Sequence, residues 1–165
     1  MGATTAATAA VALLKRLEVP YRLHEYRHDP GEAYGEEAAR RLGADPDRVL
    51  KTLVVSTGGS LSVAVIPVSC ELDLKAVAAA FGDKRAALAE AKDAERATGY
   101  VVGGISPLAQ RRRLATVVDL GATGWETVFV SGGRRGLEIE LSPQHLVRLS
   151  NAAVAAISRP RHRSG

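Results

Sequence analysis

A lysine lies in the middle of an apolar segment of the chain. Lys51 belongs to VLKTLVVS, residues 49–56, whose β-branched residues predict a strand. Because side chains alternate across a strand, Lys51 shares a face with Val49, Leu53 and Val55. A buried ammonium without a partner is costly. The lysine is therefore either paired, shifted in pKa or facing a cavity, or it lies at a sheet edge, from which it reaches water.

A candidate partner for this lysine lies near the C-terminal end. The segment LEIEL, residues 137–141, alternates strictly and predicts a strand with its leucines and isoleucine on one face. Glu138 and Glu140 then lie on the other face, where they are either solvated or directed toward a site. Glu138 is the candidate partner of Lys51.

Three glycine-containing segments could bring backbone amides to a ligand. Glycine lets a backbone approach a ligand closely and exposes its N–H donors. None of the segments matches G-x-x-x-x-G-K-[ST] or G-x-G-x-x-G, so nucleotide hydrolysis and dinucleotide binding lack support. Taken singly, each is compatible with an ordinary turn. The segments are STGGS (56–60), VGGIS (102–106) and VSGGRRG (130–136).

Other catalytic and metal-binding patterns are weak. His24 and His28 are four residues apart, but on a predicted strand and loop this spacing does not bring them together, which argues against a metal site. Cys70 has no activating base nearby in the sequence and is interpreted as a buried or incidental thiol. No G-x-S-x-G motif of a serine hydrolase is present. The sequence predicts neither a strong protein nucleophile nor a cofactor.

Basic residues are concentrated in three places. The chain has 22 Lys and Arg against 18 Asp and Glu, a formal net charge of +4. The excess lies in QRRR (110–113), in GGRRG (132–136) and at the C-terminus. The two internal clusters are candidate contacts to a phosphate backbone, and residues 159–165 are predicted to form a disordered basic tail.

Helices and strands are interspersed along the chain. A first helix carries Val11 and Leu14 and is capped by Thr5 or Thr8. The glycines of TGGS connect a predicted hairpin of VLKTLVVS and LSVAVIPV. This order predicts a mixed α/β sheet in one domain rather than a doubly wound parallel sheet. The other predicted elements are a strand over 21–26, helices over 36–43, 72–82 and within 86–97, strands over ATVVDL, ETVFVSGG and GLEIELS, and one or two helices over 143–158.

Length and composition limit the class of protein. With 165 residues, 46% of them hydrophobic, the chain can bury the core of one domain. Its single cysteine excludes an internal disulfide framework and favours a reducing compartment. Lys15 and Arg16 interrupt the apolar N-terminal segment, and no run approaches the roughly 18 apolar residues of a membrane helix. We therefore expect a cytoplasmic protein that does not bind a membrane.

Five segments occur together in a characteristic order. They are LHEYRHDP, VLKTLVV, ELDLKAVAAAFG, ATGYVVGGISPLAQRRRL and VFVSGGRRGLEIEL. Their order and spacing resemble the YbaK/EbsC family of aminoacyl-tRNA deacylases, which are related to the editing domain of bacterial prolyl-tRNA synthetases. The resemblance covers about residues 8–158 and is closest to the YbaK branch, the Cys-tRNA(Pro) deacylases. It implies an editing domain over residues 1–158, with a curved, partly barrel-like mixed sheet flanked by helices.

The resemblance also implies a site. Lys51 matches the family's essential lysine, and we assign stabilisation of the oxyanion to the loop of Gly103 and Gly104. Glu138 stands where the family often has Asp, and the loop HDPGEAYG is a residue shorter than in YbaK. The implied substrate-binding residues are Tyr26, Tyr34, Thr52, Ile105, Ser106, Ser131 and Glu138.

The expected function is trans-editing, the hydrolysis of mischarged tRNA(Pro). Selection by fit alone contributes only about 1–3 kcal/mol per methylene, so a proline pocket admits cysteine or alanine and a second site must remove them. Lys51 would bind the terminal phosphate or ribose, and in the YbaK branch the cysteinyl thiol attacks its own carbonyl. Prolyl-tRNA synthetase could join in a ternary complex; no DNA is expected. The expected contacts to the tRNA backbone are Arg111, Arg112, Arg113, Arg134 and Arg135.

Two other functions remain open from the sequence. The chain could be a tRNA-binding module without catalysis, or a regulatory relative that binds a free amino acid or nucleotide. Lys51, Gly103 and Gly104 together favour the deacylase, because a binding module would not need that grouping. The resemblance to the YbaK branch favours Cys-tRNA(Pro) over Ala-tRNA(Pro) as the substrate.

Overall fold

Helices and strands alternate along the chain in a computed structural model, which describes residues 8–29 and 33–161. Short 3-10 turns at Pro46–Arg48 and Leu120–Gly124 connect some of these elements. The helices are α1 (Ala9–Arg16), α2 (Tyr34–Leu42), α3 (Leu74–Ala80), α4 (Ala91–Thr98) and α5 (Pro143–Ser150). The strands are β1 (Arg22–Glu25), β2 (Leu50–Thr57), β3 (Ser60–Pro67), β4 (Cys70–Leu72), β5 (Ala86–Leu88), β6 (Ala115–Asp119), β7 (Val128–Ser131), β8 (Leu137–Leu141), β9 (Ala153–Ala155) and β10 (Ser158–Pro160).

The strands form three sheets. The largest has the order β5-β2-β3-β6-β9, the second β1-β8-β7 and the smallest β10-β4. In the largest sheet β2 and β3 are antiparallel, whereas β3, β6 and β9 are parallel. A bridge between Val49 and Phe129 connects the two larger sheets. The predicted mixed α/β class in one domain is confirmed, and the described strands do not close into a barrel.

The central hairpin follows the predicted turn chemistry. Thr57 pairs with Ser60, and Gly58 and Gly59 between them have φ angles of 55° and 83°. Positive φ at both central residues is the requirement of the type I′ turn that suits the twist of a hairpin. The predicted hairpin is confirmed, and its register places Lys51 opposite Ile66.

The main core lies under α1 and α5. Leu14 of α1, Ile139 of β8 and Leu146 of α5 are fully buried in one apolar cluster with Val65 of β3. Burying one such side chain contributes about 1.5–3 kcal/mol. Thr8 caps α1, since its Oγ1 accepts a hydrogen bond from the Val11 N–H at 3.2 Å. The other cap considered, Thr5, lies outside the described residues.

The C-terminal segment differs from its prediction. Helix α5 ends at Ser150, where Asn151 adopts a φ of 53°, so the predicted helical region over 143–158 is wrong after that point. Ala153–Ala155 instead pairs with β6, because tertiary pairing overrides the helix propensity of alanine. Strand β10 includes Arg159 and Pro160, which the sequence assigned to the tail, and residues 162–165 lie outside the described part.

No helix among the described residues is long and apolar enough to cross a bilayer.

Candidate active site

A cavity of about 470 Å³ opens between β2, the start of α2, the loop after α4 and the three-stranded sheet. A volume in this range suits a ligand of the size of an aminoacyl nucleoside. The structure thus brings together residues that are far apart in the sequence. Eight of the predicted site residues line it: Tyr26, Tyr34, Lys51, Thr52, Gly103, Ile105, Ser131 and Glu138.

The cavity exists because β2 has a partner on only one side along part of its length. On the open side, Val49 is bridged to Phe129, and the Val54 carbonyl accepts a hydrogen bond from the Ala89 N–H at 3.0 Å. Between these points the strand pairs with β3 alone, and this stretch carries Lys51 and Thr52. The sequence left open whether Lys51 faces a cavity or lies at a sheet edge. Both hold, because the lysine lies at a locally open strand edge and that edge is a cavity wall.

Lys51 is half-buried in this wall and carries no compensating charge in direct contact. Its ammonium makes no hydrogen bond or ion pair with another described residue. Burial lowers the pKa of Lys51, and the nearby guanidinium of Arg161 lowers it further. The expected partner, Glu138, lines the same cavity but is not ion-paired with the lysine. The lysine is thus oriented for an anion that the described part of the chain does not supply.

Glu138 is a buried carboxyl that favours its protonated form at pH 7. Only 6% of the residue is exposed, and burial raises the pKa of Glu138 to about 8. Burial also raises the pKa of Tyr26, and the neighbouring carboxyl of Glu138 raises it further. Both groups therefore keep their protons at pH 7 and can donate hydrogen bonds to a ligand.

Thr52 contributes a hydroxyl without a partner. Its Oγ1 is buried and makes no hydrogen bond with a described residue, although Thr52 lines the cavity. A buried polar group of this kind is rare in proteins and indicates a function or a missing ligand. Ser131, across the cavity on β7, accepts a hydrogen bond from the Gly133 N–H at 3.2 Å. Of the two hydroxyls, that of Thr52 is the one without a protein partner.

The loop after α4 forms one side of the cavity. Gly103 has a φ of 90°, and a Cβ at this position would lie 2.8 Å from ring atoms of Tyr34. The guanidinium of Arg135 lies 4.8 Å from the centre of the same ring and donates to the Val102 carbonyl at 2.8 and 3.0 Å. Only glycine permits this close approach of the loop to the tyrosine.

Two predicted residues of this loop do not line the cavity. The Gly104 N–H donates to the Val101 carbonyl at 2.8 Å and is already engaged in a turn, so it is not available to an oxyanion. A Cβ on Gly104 would lie 2.7 Å from the Cα of Arg134, so the close packing of these two backbone segments requires glycine at this position. Ser106 is fully buried, and its Oγ accepts a hydrogen bond from the Leu108 N–H. Both residues therefore shape the loop.

The predicted arginines occupy different surfaces. Arg112 and Arg113 line a separate cleft of about 500 Å³ together with Arg148 of α5. Arg111 is exposed beside Gly99. Arg134 is ion-paired with Glu25 at 3.2 Å, and Arg135 does not line the cavity but contacts Tyr34, which does.

Three residues near these sites were missed at the sequence level. Glu37 is fully buried and holds the segment before α2 through His28 Nδ1 and the Asp29 N–H. Arg161 lines the cavity although it lies in the predicted tail. Arg148 reaches the second cleft from the last turn of α5. The acidic first turn of α2 was a visible signal for Glu37, but the two arginines are placed by tertiary packing alone.

Comparison with known proteins identifies the family. The model of the aminoacyl-tRNA editing domain matches residues 28–149, a range that includes all the predicted site residues except Tyr26. The chain belongs to the aminoacyl-tRNA editing domain family. This confirms the resemblance found in the sequence motifs and the class of enzyme, a hydrolase that acts on aminoacyl-tRNA.

Individual members of the editing family resemble the whole chain. A protein of Enterococcus faecalis (strain ATCC 700802 / V583), EbsC, is 36% identical over 152 residues, which are 92% of this chain and 93% of its own. It is described as a proposed Cys-tRNA(Pro)/Cys-tRNA(Cys) deacylase.

Solved structures show the same fold. The crystal structure of hypothetical protein APE2540 has a TM-score of 0.82 at 30% identity, covering 92% of this chain and all of that one. A proposed trans-editing enzyme for prolyl-tRNA synthetase has a TM-score of 0.80 at 22% identity, covering 93% of this chain and 98% of its own.

Proposed function

We propose that this editing domain is a trans-editing deacylase of mischarged tRNA(Pro), with Cys-tRNA(Pro) as its main substrate. The observation that carries the proposal is the Lys51 ammonium, which lines a cavity beside Gly103 without an ion pair to a described carboxylate. The name of the Enterococcus relative and the motifs around residues 99–113 support the choice of substrate.

Lys51 binds the acceptor end of the tRNA. An ammonium in a partly desolvated wall attracts a phosphate or ribose oxygen more strongly than the same group in water. Burial disfavours the charged form of Lys51, and a bound phosphate stabilises that form. Lys51 thereby orients the ester that joins the amino acid to the terminal ribose.

Gly103 supplies a backbone donor for the oxyanion. Its N–H makes no hydrogen bond to another described residue, in contrast to that of Gly104. In other enzymes the loss of one oxyanion donor costs about 2.7–4 kcal/mol. The sequence analysis assigned the oxyanion donors to the loop of Gly103 and Gly104. We now assign this role to Gly103 alone.

The substrate provides the nucleophile. The cysteinyl sulfur attacks its own carbonyl carbon, the ester C–O bond breaks, and the thiol proton passes to the departing ribose oxygen. Water then opens the resulting cyclic thioester and releases cysteine. This route requires no protein nucleophile, and it agrees with a described cavity wall whose polar groups are a lysine, an arginine, a neutral carboxyl, two tyrosines and hydroxyls.

A side-by-side hydrolysis assay tests the substrate. We expect the chain to release amino acid from Cys-tRNA(Pro) faster than from Ala-tRNA(Pro) or Pro-tRNA(Pro), and Cys-tRNA(Cys) reports whether the tRNA body matters. Ser-tRNA(Pro) replaces the thiol by a weaker nucleophile and should react slowly. Equal rates with the serine and cysteine esters would contradict the substrate-assisted step. Binding of these tRNAs without release of any amino acid would instead indicate a tRNA-binding module.

The variant Lys51→Ala tests the central residue. Hydrogen bonds to charged groups contribute about 1.5–3 kcal/mol, so kcat/KM for Cys-tRNA(Pro) should fall by about 10- to 150-fold. The matched control is Lys75→Ala, which removes an exposed lysine of α3 outside the cavity. Undiminished turnover by a folded Lys51→Ala protein would remove the lysine from the mechanism.

A further inference from the structure

The C-terminal strand brings a second cation into the cavity. Strand β10 pairs with β4 through Arg159 opposite Glu71 and Pro160 opposite Cys70. The pairing with β4 and the buried side chain of Ile157 hold this strand in place, and an exposed ion pair joins Arg159 to Glu71 at 2.8 Å. The next residue, Arg161, lies in the cavity wall together with Lys51.

The two cations are close enough to repel each other. After burial, the charge of Arg161 is the largest cause of the lowered pKa of Lys51. The buried carboxyl in the same wall, Glu138, is protonated at pH 7 and does not neutralise them. Cys70, Glu36 and Glu71, which do not line the cavity, act on Lys51 in the opposite direction, each more weakly than Arg161. The cavity wall itself carries two cations, which favours an anionic ligand.

Among the described residues Arg161 has one carboxylate partner, and that contact is weak. It is ion-paired with Glu36 in the first turn of α2, but both side chains are substantially exposed, with relative accessibilities of 44% and 57%. Exposed ion pairs contribute little to stability, so the guanidinium can exchange Glu36 for a ligand at small cost. Its planar group can bind two oxygens of a phosphate at once, whereas Lys51 acts as a point charge.

We propose that Arg161 is a substrate-positioning residue that binds, together with Lys51, the phosphate preceding the esterified ribose of the RNA acceptor end. The inference rests on the proposed function, because it assigns the ligand of the same cavity. It adds a contact from the C-terminal segment, beyond the residues 28–149 that match the family model.

A purely structural role for Arg161 makes a different prediction. If the residue served only to hold α2 through Glu36, then removing either partner would have the same effect. If Arg161 binds phosphate, removing the charge of Glu36 removes a carboxylate that competes with the phosphate for the guanidinium. Glu36→Gln should then bind RNA as tightly as the wild type or more tightly, while Arg161→Ala binds it more weakly.

The experiment measures deacylation of Cys-tRNA(Pro) by the full chain at several salt concentrations. For Arg161→Ala we expect KM to rise about tenfold with kcat within about twofold of the wild type. The slope of log KM against log salt should decrease by about 0.7, the value for one lost contact to a single-stranded phosphate. Arg161→Lys should recover part of the affinity.

The matched control is Arg159→Ala, in strand β10 two residues before Arg161, which loses the exposed pair with Glu71 but no cavity contact. It should retain the wild-type KM and salt slope. A wild-type KM and slope for Arg161→Ala, or an equal loss in Glu36→Gln and Arg161→Ala, would overturn the proposal.

A binding measurement separates this inference from the proposed function. An RNA hairpin ending in CCA, titrated by fluorescence anisotropy, reports the phosphate contact without any chemistry. If the wild type hydrolyses none of the esters, the proposed function fails. The salt dependence of hairpin binding by the wild type and Arg161→Ala still tests whether Arg161 contacts a phosphate. If the wild type is active and Arg161→Ala binds the hairpin normally, only the inference fails.

Discussion

At the scale of single residues, one physical cause acts on both ionisable groups at the centre of the site. Burial lowers the pKa of Lys51 and raises that of Glu138, so each is shifted toward its neutral form. The two groups share a cavity but do not form an ion pair with each other. A site that holds a half-buried lysine and a buried carboxyl without pairing them is arranged to bind a ligand rather than to stabilise the fold.

The buried carboxyl predicts a pH-dependent stability. Glu138 has a pKa of about 8 in the folded state, against about 4.3 for glutamate in an unfolded chain. Between these values the folded state holds a proton that the unfolded state has lost. The stabilising effect of this proton is fully present below pH 4 and is lost as the pH rises toward 8.

The variant Glu138→Gln should remove this dependence. We expect the stability difference between variant and wild type to move in favour of the variant by up to about 1.4 kcal/mol per pH unit between pH 5 and 8. Urea unfolding across this range measures it. Glu126→Gln, an exposed glutamate, should follow the wild-type curve. Parallel curves for Glu138→Gln and wild type would show that the carboxyl is ionised when folded.

At the scale of elements, the site depends on how closely the loop after α4 approaches the start of α2. Tyr34 packs against Gly103, and the Arg135 guanidinium lies 4.8 Å from the centre of the Tyr34 ring while it donates to the Val102 carbonyl. This contact fixes the position of Gly103, the cavity-lining residue proposed to donate its N–H to the oxyanion. The position of the proposed oxyanion donor therefore depends on both α2 and the loop after α4.

The variant Gly103→Ala tests this contact. Alanine would adopt a φ of 90° with strain and would place its Cβ 2.8 Å from the Tyr34 ring, so loop or ring must move. We expect kcat/KM for Cys-tRNA(Pro) to fall at least about tenfold, since small displacements of an oxyanion donor are costly. Gly124→Ala, whose Cβ would meet no atom within 4 Å, should stay within about twofold of the wild type. Full activity of Gly103→Ala would exclude a precise role for this glycine.

Elements with local signals were predictable, and those that depend on distant partners were not. The TGGS turn and the Thr8 cap are encoded within a few residues, and the structure confirms both. Strands β9 and β10 carry no strand signal of their own and form because β6 and β4 present partners to them. The same distinction applies to the site. Lys51 is conspicuous in its strand, whereas the engaged amide of Gly104 and the approach of Arg161 depend on tertiary structure.

At the scale of the whole molecule, the excess positive charge is distributed over two concave surfaces. Lys51 and Arg161 line the cavity, while Arg112, Arg113 and Arg148 line the cleft of about 500 Å³. The loop after α4 borders both, because Ile105 lines the first and Pro107 the second. No acidic residue lines the described wall of the cleft. We therefore expect a tRNA whose acceptor end lies in the cavity to contact the cleft through its backbone.

Replacing these three arginines of the cleft by alanine tests this assignment. Backbone contacts carry little sequence information, so the triple variant should bind Cys-tRNA(Pro) and Pro-tRNA(Pro) more weakly by the same factor. Each lost contact to duplex phosphate should reduce the slope of log affinity against log salt by about 0.9, or about 2.7 for three. The rate of deacylation at saturating substrate should not change, because none of the three lines the cavity. Arg85→Ala, an exposed arginine outside both surfaces, is the control. An unchanged salt slope in the triple variant would place the RNA body elsewhere, and a reduced saturating rate would mean that the cleft also acts on the chemistry in the cavity.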